Sequence, residues 1–244
     1  LGGRGWAARL DFADAEQALA ESLALLQQHN DRPRVALVEN GLGDLEEARG
    51  NYDAALERYK RALQLRGQLG DEADLRESHN NVGYLYFLLA DYENARVYLD
   101  RAFDLYEKHG NASGALLVLQ SRGACELAQG EWREALATFH ESLDRSRKLD
   151  LKAATAVAHG SLARLAFFEG RYGAALPGFA DARKIVDQLE DRRGQAEFAL
   201  GEAETLLEVG ALDEAGKRLA EVEAWEKEGL SKEHEAQLAI LEGR

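Results

Sequence analysis

Methionine is absent from the 244 residues, cysteine occurs once and proline twice. A lone Cys125 closes no intrachain disulfide and builds no thiolate metal cage. That usage fits a reducing, cytoplasmic setting. Pro33 and Pro177 leave nearly the whole chain free to run helical, and long runs of Val, Ile and Thr are missing. Ala, Leu, Glu and Arg dominate instead, all strong helix formers, so the expected class is all-α. No apolar stretch approaches the roughly 20 residues that span a bilayer, and no secretory leader pattern opens the chain. The first residue is Leu1, not Met, which points to a segment of a longer protein. Positive charge is also scarce: 30 Lys and Arg against 44 Asp and Glu give a formal net charge of -14. Nucleic acid needs a basic face, so no direct nucleic-acid ligand is expected, nor an anionic membrane surface. A basic or neutral peptide is easier to accommodate, although the same acids also serve simply to keep outer helices soluble.

What the chain does have is a repeat. Gly50-Asn51-Tyr52-Asp53-Ala54-Ala55 returns forty residues later as Ala90-Asp91-Tyr92-Glu93-Asn94-Ala95, then from Gly130, Gly170 and Gly210. Alanine occupies 15, 55, 95, 135, 175 and 215, and a large apolar residue follows four later: Leu19, Tyr59, Leu99, Phe139, Phe179 and Leu219. A small residue stands twelve before each alanine, at Gly3, Gly43, Gly83, Gly123, Ala163 and Ala203, and the phase continues to Gly243. These columns describe a first helix, A, and a second, B, joined at the Gly-x-aromatic turn. The small residue of A lets B approach closely, and Tyr52, Tyr92, Trp132 and Tyr172 start B and pack over the turn. A second punctuation, at Asn30-Asp31, Gly70-Asp71, Gly110-Asn111, Glu190-Asp191 and Ser231, supplies a helix end and the N-cap of the next A helix. Pro33 falls in a first turn, where a missing N–H costs little. Helices of about 15–18 residues follow, and no hairpin can bury its face alone.

The columns resemble the tetratricopeptide repeat. Leu42-Gly43, Gly50, Tyr52, Ala55, Tyr59 and Ala62 match its pattern, as do Gly83, Tyr86, Tyr92, Ala95, Leu99 and Ala102. The fifth repeat departs most, with Leu212 and Val222 in aromatic and alanine columns, and the usual proline near the end of helix B is missing. The 40-residue form resembles arrays of MalT-like transcription regulators, Rap-type proteins and LGN/Pins scaffolds. The resemblance implies a right-handed α-solenoid of antiparallel helix-turn-helix repeats, period 40, with a concave groove lined by A helices. On this reading residues 1–244 form one array. A partial repeat covers 1–30, full repeats cover 31–70, 71–110, 111–150, 151–190 and 191–230, and a second partial repeat covers 231–244. Both ends hold the helix-A phase, which again suggests that the parent chain continues.

Function then turns on the groove. The resemblance places its lining three before and one after the small residue, plus the next turn. Those columns offer Asn40, Asn80, Gln120, Tyr84, Phe87, Leu127, Arg164 and Phe167. Amides donate and accept, so Asn40, Asn80 and Gln120 could hold a peptide backbone. They could equally hydrogen-bond between adjacent A helices. Tyr84, Phe87, Leu127 and Phe167 would be apolar anchors, and Arg164 would pair with an acidic group. The chaperone-tail clamp of other members needs cations that these columns lack in the first three full repeats. The histidines His29, His79, His109, His140, His159 and His234 form no ligand motif, Cys125 sits in a leucine column, and Trp132 and Trp225 read as core. No catalytic residue, metal or cofactor is expected. The leading expectation is a protein- or peptide-binding scaffold, the sensor or interaction region of a bacterial signalling or transcription regulator; abundant Arg, Ala and Gly favour a bacterial source. A self-associating scaffold, edge to edge or end to end, and an accessory array of a larger enzyme remain the alternatives.

Overall fold

The structure is a computed structural model and describes residues 12–70 and 72–226. The positions Gly3, Asp71, Ser231, His234 and Gly243 lie outside the described residues, as do the side chains of Phe12, Ala13 and Glu226. Among the described residues there are eleven α-helices and no strand. The B helices are α1 (Phe12–Gln28), α3 (Tyr52–Leu69), α5 (Tyr92–Lys108), α7 (Trp132–Lys148), α9 (Tyr172–Gln188) and α11 (Leu212–Glu226). The A helices are α2 (Arg32–Ala48), α4 (Glu72–Leu88), α6 (Ala112–Ala128), α8 (Lys152–Phe168) and α10 (Arg192–Glu208). The aromatic column does start its B helices: Tyr52, Tyr92, Trp132 and Tyr172 are first residues.

The ends of the helices follow from local chemistry. Asp31, Asp91 and Asp191 accept from the backbone N–H three residues on, and Asn111 accepts from the Gly114 N–H. Each bond satisfies a donor that the helix itself leaves over. Pro33 lies in the first turn of α2. Helices close on a residue with φ between about 50° and 80°, glycine at Gly50, Gly70, Gly110, Gly130, Gly170 and Gly210, but Asn30, Ala90, Asp150 and Glu190 elsewhere. Pro177 lies inside α9, which runs on through it.

The chain divides into two compact units, residues 1–125 and 126–244. In the first, α1 packs on α2, α2 on α3, α3 on α4 and α4 on α5. Ala55, Leu56, Tyr59, Val82 and Leu85 form one core cluster; Ala95, Leu99, Ala102, Val118 and Cys125 form another. In the second unit, α7 packs on α8, α8 on α9, α9 on α10 and α10 on α11. Its cores gather Ala135, Phe139 and Leu165, then Ala175, Phe179, Ala182 and Phe198, then Ala203, Leu219 and Val222. The alanine column from Ala55 to Ala215 is fully buried, as is Cys125.

The small column works as a seat. A Cβ built on Gly43 would stand 2.6 Å from the Tyr59 ring, and one on Gly83 would stand 2.9 Å from Leu99 Cγ. The large residue of helix B therefore lies against bare backbone of helix A. One expectation needs correction. Trp225 packs on the last core cluster, but Trp132 is 44% exposed. It heads α7, one turn before Ala135, the first buried residue of that helix.

Candidate functional site

Residues at i, i+3, i+7 and i+11 of an α-helix share one face. In α2 that face carries Leu37, Asn40, Asp44 and Ala48; in α4, Glu77, Asn80, Tyr84 and Leu88; in α6, Leu117, Gln120, Ala124 and Ala128. In α8 it carries Val157, Gly160, Arg164 and Phe168, and in α10, Glu197, Leu200, Glu204 and Glu208. Several large apolar side chains on it remain in solvent: Leu37 at 63% exposure, Leu117 at 60%, Phe168 at 55%, and Tyr84 and Val157 also exposed. Single exposed apolar residues are ordinary, but a recurring place on consecutive elements is not. Leu37, Leu117, Val157 and Phe168 are not among the residues expected from the sequence to line the site. Their signal was present: the first three stand seven residues before Asp44, Ala124 and Arg164, and Phe168 four after Arg164.

Within the first unit the structure brings some of the expected site residues together. Asn40 is buried, and its amide N–H₂ lies 3.4 Å from Asp44 Oδ1, while its oxygen accepts from Asn81 of α4 at 3.3 Å. The link between adjacent A helices thus runs from Asn40 to Asn81 and not to Asn80. Asn80 Oδ1 is buried without a hydrogen-bond partner among the described residues. Gln120 is half-buried on α6. Tyr84 and Phe87 pair with ring centroids 6.2 Å apart, and Phe87 also meets Tyr92 at 6.2 Å. Phe87 is half-buried against the second core cluster; Tyr84 is the outer member.

The polar centre of this unit is Tyr59. Its ring is 2% exposed, yet its hydroxyl lies 2.7 Å from Asp44 Oδ1 and 2.8 Å from Glu47 Oε2. The hydroxyl has one proton to donate, so two carboxylates converge on a single donor. Burial, reinforced by the charges of Asp44 and Glu47, holds the phenol far above its ordinary pKa. Behind this face, Arg58 pairs with buried Glu39 at 3.0 Å, and buried Arg66 donates to Ser78 Oγ at 2.6 Å.

In the second unit the arrangement differs. Arg164 forms an ion pair with Glu204 of α10. Its guanidinium lies 5.3 Å from the Phe179 ring centroid and 5.8 Å from that of Phe167. Phe167 meets Phe168 edge-on at 5.7 Å and Tyr172 at 5.6 Å. Leu127 is half-buried against the cluster of Ala135, Phe139 and Leu165. Buried Glu202 receives Arg183 at 2.9 Å and Arg218 as well, and both arginines also reach Glu221 at 3.0 Å. His79 and His159 are half-buried. Burial lowers the pKa of His79, with Arg101 adding to it; burial and then Arg147 lower that of His159, which Asp181 partly offsets. Among the described residues no group of three or more His, Cys, Asp or Glu is placed to hold a metal, and no helix is long and apolar enough to cross a membrane.

The sequence profile of the tetratricopeptide repeat matches residues 7–68, 34–108, 73–148 and 113–188. No curated protein sequence matches the chain. Among solved structures, BtubC from P. vanneervenii is similar with a TM-score of 0.68 at 16% identity, over 92% of this chain and 94% of that one. The Rap conjugation gene regulator of the plasmid pLS20, solved in complex with the Phr* peptide, gives 0.80 at 19% identity, over 88% of this chain and 60% of that one. NprR in complex with its cognate peptide NprX gives 0.73 at 16% identity, over 92% and 65%. The chain thus spans less than two thirds of these two regulators' length. At such identities the likeness speaks for the fold.

Proposed function

Since the chain belongs to the tetratricopeptide repeat family, we propose that it is a protein- or peptide-binding scaffold, with ligand docking on the A-helix face of each unit. The observation that carries this reading is the exposure of Leu37, Tyr84 and Leu117 on that face in the first unit, and of Val157 and Phe168 on it in the second. Leaving large apolar side chains in water forgoes about 1.5–3 kcal/mol each, a standing cost that a partner would remove. Asn80, with its oxygen unmatched, gains a hydrogen bond on turning toward a ligand N–H. Asn40 is already tied to Asp44 and Asn81, so its first role is to hold α2 against α4. Phe87 and Phe167 are half-buried and support the anchors Tyr84 and Phe168, Leu127 is half-buried against Ala135, Phe139 and Leu165, and Arg164 is held by Glu204 as the cation of the second unit's face. The sensor or interaction region of a bacterial regulator is the setting we favour, supported by the likeness to Rap and NprR structures that contain peptides.

The test is capture from native lysate, read by mass spectrometry, with three baits: the wild type, Leu117→Asp, and Asn80→Ala with Gln120→Ala. Both variants should keep the helical spectrum, because Leu117 is exposed, Asn80 Oδ1 makes no bond to lose, and alanine is the strongest helix former at both amide positions. A partner held by the wild type and lost by Leu117→Asp supports docking on this face. A partner held equally by all three places the binding surface elsewhere.

A further inference from the structure

An open cleft of about 330 Å³ lies between the end of α1, the first half of α2 and the second half of α3, all within the first unit. At roughly 3.6 residues per turn, its α2 members Val35 and Glu39 fall on the side opposite Leu37. The cleft is therefore separate from the A-helix face. Its apolar lining is buried Val35 and half-buried Leu65. Around them stand two guanidiniums, Arg32 and Arg61, and three primary amides, Gln27, Asn30 and Gln64. The one carboxylate in the lining is buried Glu39, which Arg58 already holds at 3.0 Å. The remaining polar side chains do little for the fold. Among the described residues Arg61 makes no hydrogen bond or ion pair, nor do the side chains of Gln27, Asn30 and Gln64. Arg32 gives one long bond, 3.4 Å, to Gln68. Of the neighbouring acids, Asp31 pairs with Arg34, and Glu57, one turn before Arg61 on α3, forms no ion pair with it. Convergent polar groups beside a small apolar patch make up a small-molecule site, and such sites begin at about 300 Å³.

We propose that this cleft binds a small anionic metabolite, a hydroxylated carboxylate or phosphate monoester. Guanidinium forks match the paired oxygens of either group, so Arg61 and Arg32 receive the charge. The amides donate and accept and take the hydroxyls, while Val35 and Leu65 meet the carbon skeleton. Glu39, matched by Arg58, sets no unpaired negative charge against the ligand. The formal charge of -14 on the chain does not bar an anion, because charges farther off than about 8 Å are largely screened at physiological salt. This site and the docking face are independent readings, and neither needs the other.

Calorimetric titration of the full chain with L-malate and with glycerophosphate tests this, with glycerol as the uncharged control. At least one anion should bind with a dissociation constant of about 1 mM or below, and glycerol should not. On an isotope-labelled sample that anion should shift the side-chain amide resonances of Gln27, Asn30 and Gln64 together. Arg61→Gln should weaken it at least about tenfold. The variant should stay folded, because Arg61 is exposed with no bond to lose and Gln is a good helix former. Lys184→Gln, the same loss of charge at an exposed position of α9, should leave binding within about twofold. Binding of malate alone identifies a carboxylate ligand, and binding of glycerophosphate alone a phosphate ester. Equal effects of the two variants would overturn the proposal. So would constants above about 1 mM for both anions, or binding that leaves the three amide resonances unmoved.

Discussion

In the first unit, the ring seated on a helix-A glycine is Tyr59, and its hydroxyl reaches through the hairpin to Asp44 and Glu47. In the second, Phe179 lies against Gly201, and a cation, Arg164, stands over its ring and closes on Glu204. Both solutions bury an aromatic ring against bare backbone. They leave opposite chemistry at the surface: a pair of acids sharing a phenol proton, against a cation already matched by a carboxylate. The same contrast runs behind the faces. Glu39 has one arginine, Arg58, whereas Glu202 has two, and these also hold Glu221. Around Glu202 the second unit thus gathers two acids and two cations in balance.

The largest effect should come from breaking that balance. Glu202→Ala leaves Arg183 and Arg218 facing each other with only Glu221 between them. Removing one member of a buried network typically costs about 3–5 kcal/mol; the partial exposure of both arginines places this case near the lower figure. Glu39→Ala should cost roughly half as much, since it strands one half-exposed arginine. Urea unfolding gives the totals, and native-state hydrogen exchange assigns each loss to its unit. Equal losses would show that the network of four adds nothing to the pair of two.

Next in size is the seat itself. Gly→Ala inside a helix ordinarily stabilises by about 1 kcal/mol. At Gly43 and Gly201 the new methyl would stand 2.6 Å from the Tyr59 or Phe179 ring, and overpacking of this kind costs about 1–3 kcal/mol. Both variants should be destabilised. Gly43→Ala should lose more, because Tyr59 is tethered at its hydroxyl and cannot tilt away without giving up Asp44 or Glu47. A gain in Tm for Gly201→Ala would show that the Phe179 ring moves freely under Arg164.

The helices, their turns and the buried alanines were legible in the sequence because each depends on neighbours within a few positions. Asp31 caps Arg34 by a local bond, and Ala95 is buried because Leu99 and Ala102 share its stripe. What was not legible depends on distance along the chain or on which face of a column meets solvent. Glu202 looks like any surface acid until Arg183 and Arg218, sixteen or more residues away, are seen to converge on it. Trp132 occupies the tyrosine column but not a core. The candidate positions Asn40, Asn80, Tyr84 and Arg164 were proposed from their columns. Their standing was not: that Asn40 is tied to Asn81, that Asn80 is unmatched, and that Leu37, Leu117 and Phe168 stand outward all require the packed hairpins.

The smallest expected effect isolates the phenol that sets the first unit apart. Tyr59→Phe keeps the ring on Gly43 and removes the proton donated to Asp44 or Glu47, so the loss near neutral pH should be about 1 kcal/mol. Its pH dependence is more telling. Burial keeps the native phenol un-ionised far above its usual range, while in the unfolded chain it ionises near pH 10. A raised native pKa contributes stability that is whole below the unfolded value and is lost as pH climbs past it, because the unfolded state then releases a proton that the native state retains. Wild-type stability should therefore fall more steeply than that of Tyr59→Phe above about pH 10, and the gap between the two should narrow there. Tyr106, also raised by burial and by Glu77, contributes equally to both proteins and cancels in the difference. Parallel curves from pH 8 to 11, measured by urea unfolding, would mean that the Tyr59 hydroxyl reaches solvent in the native state and that the two carboxylates are held apart by water instead.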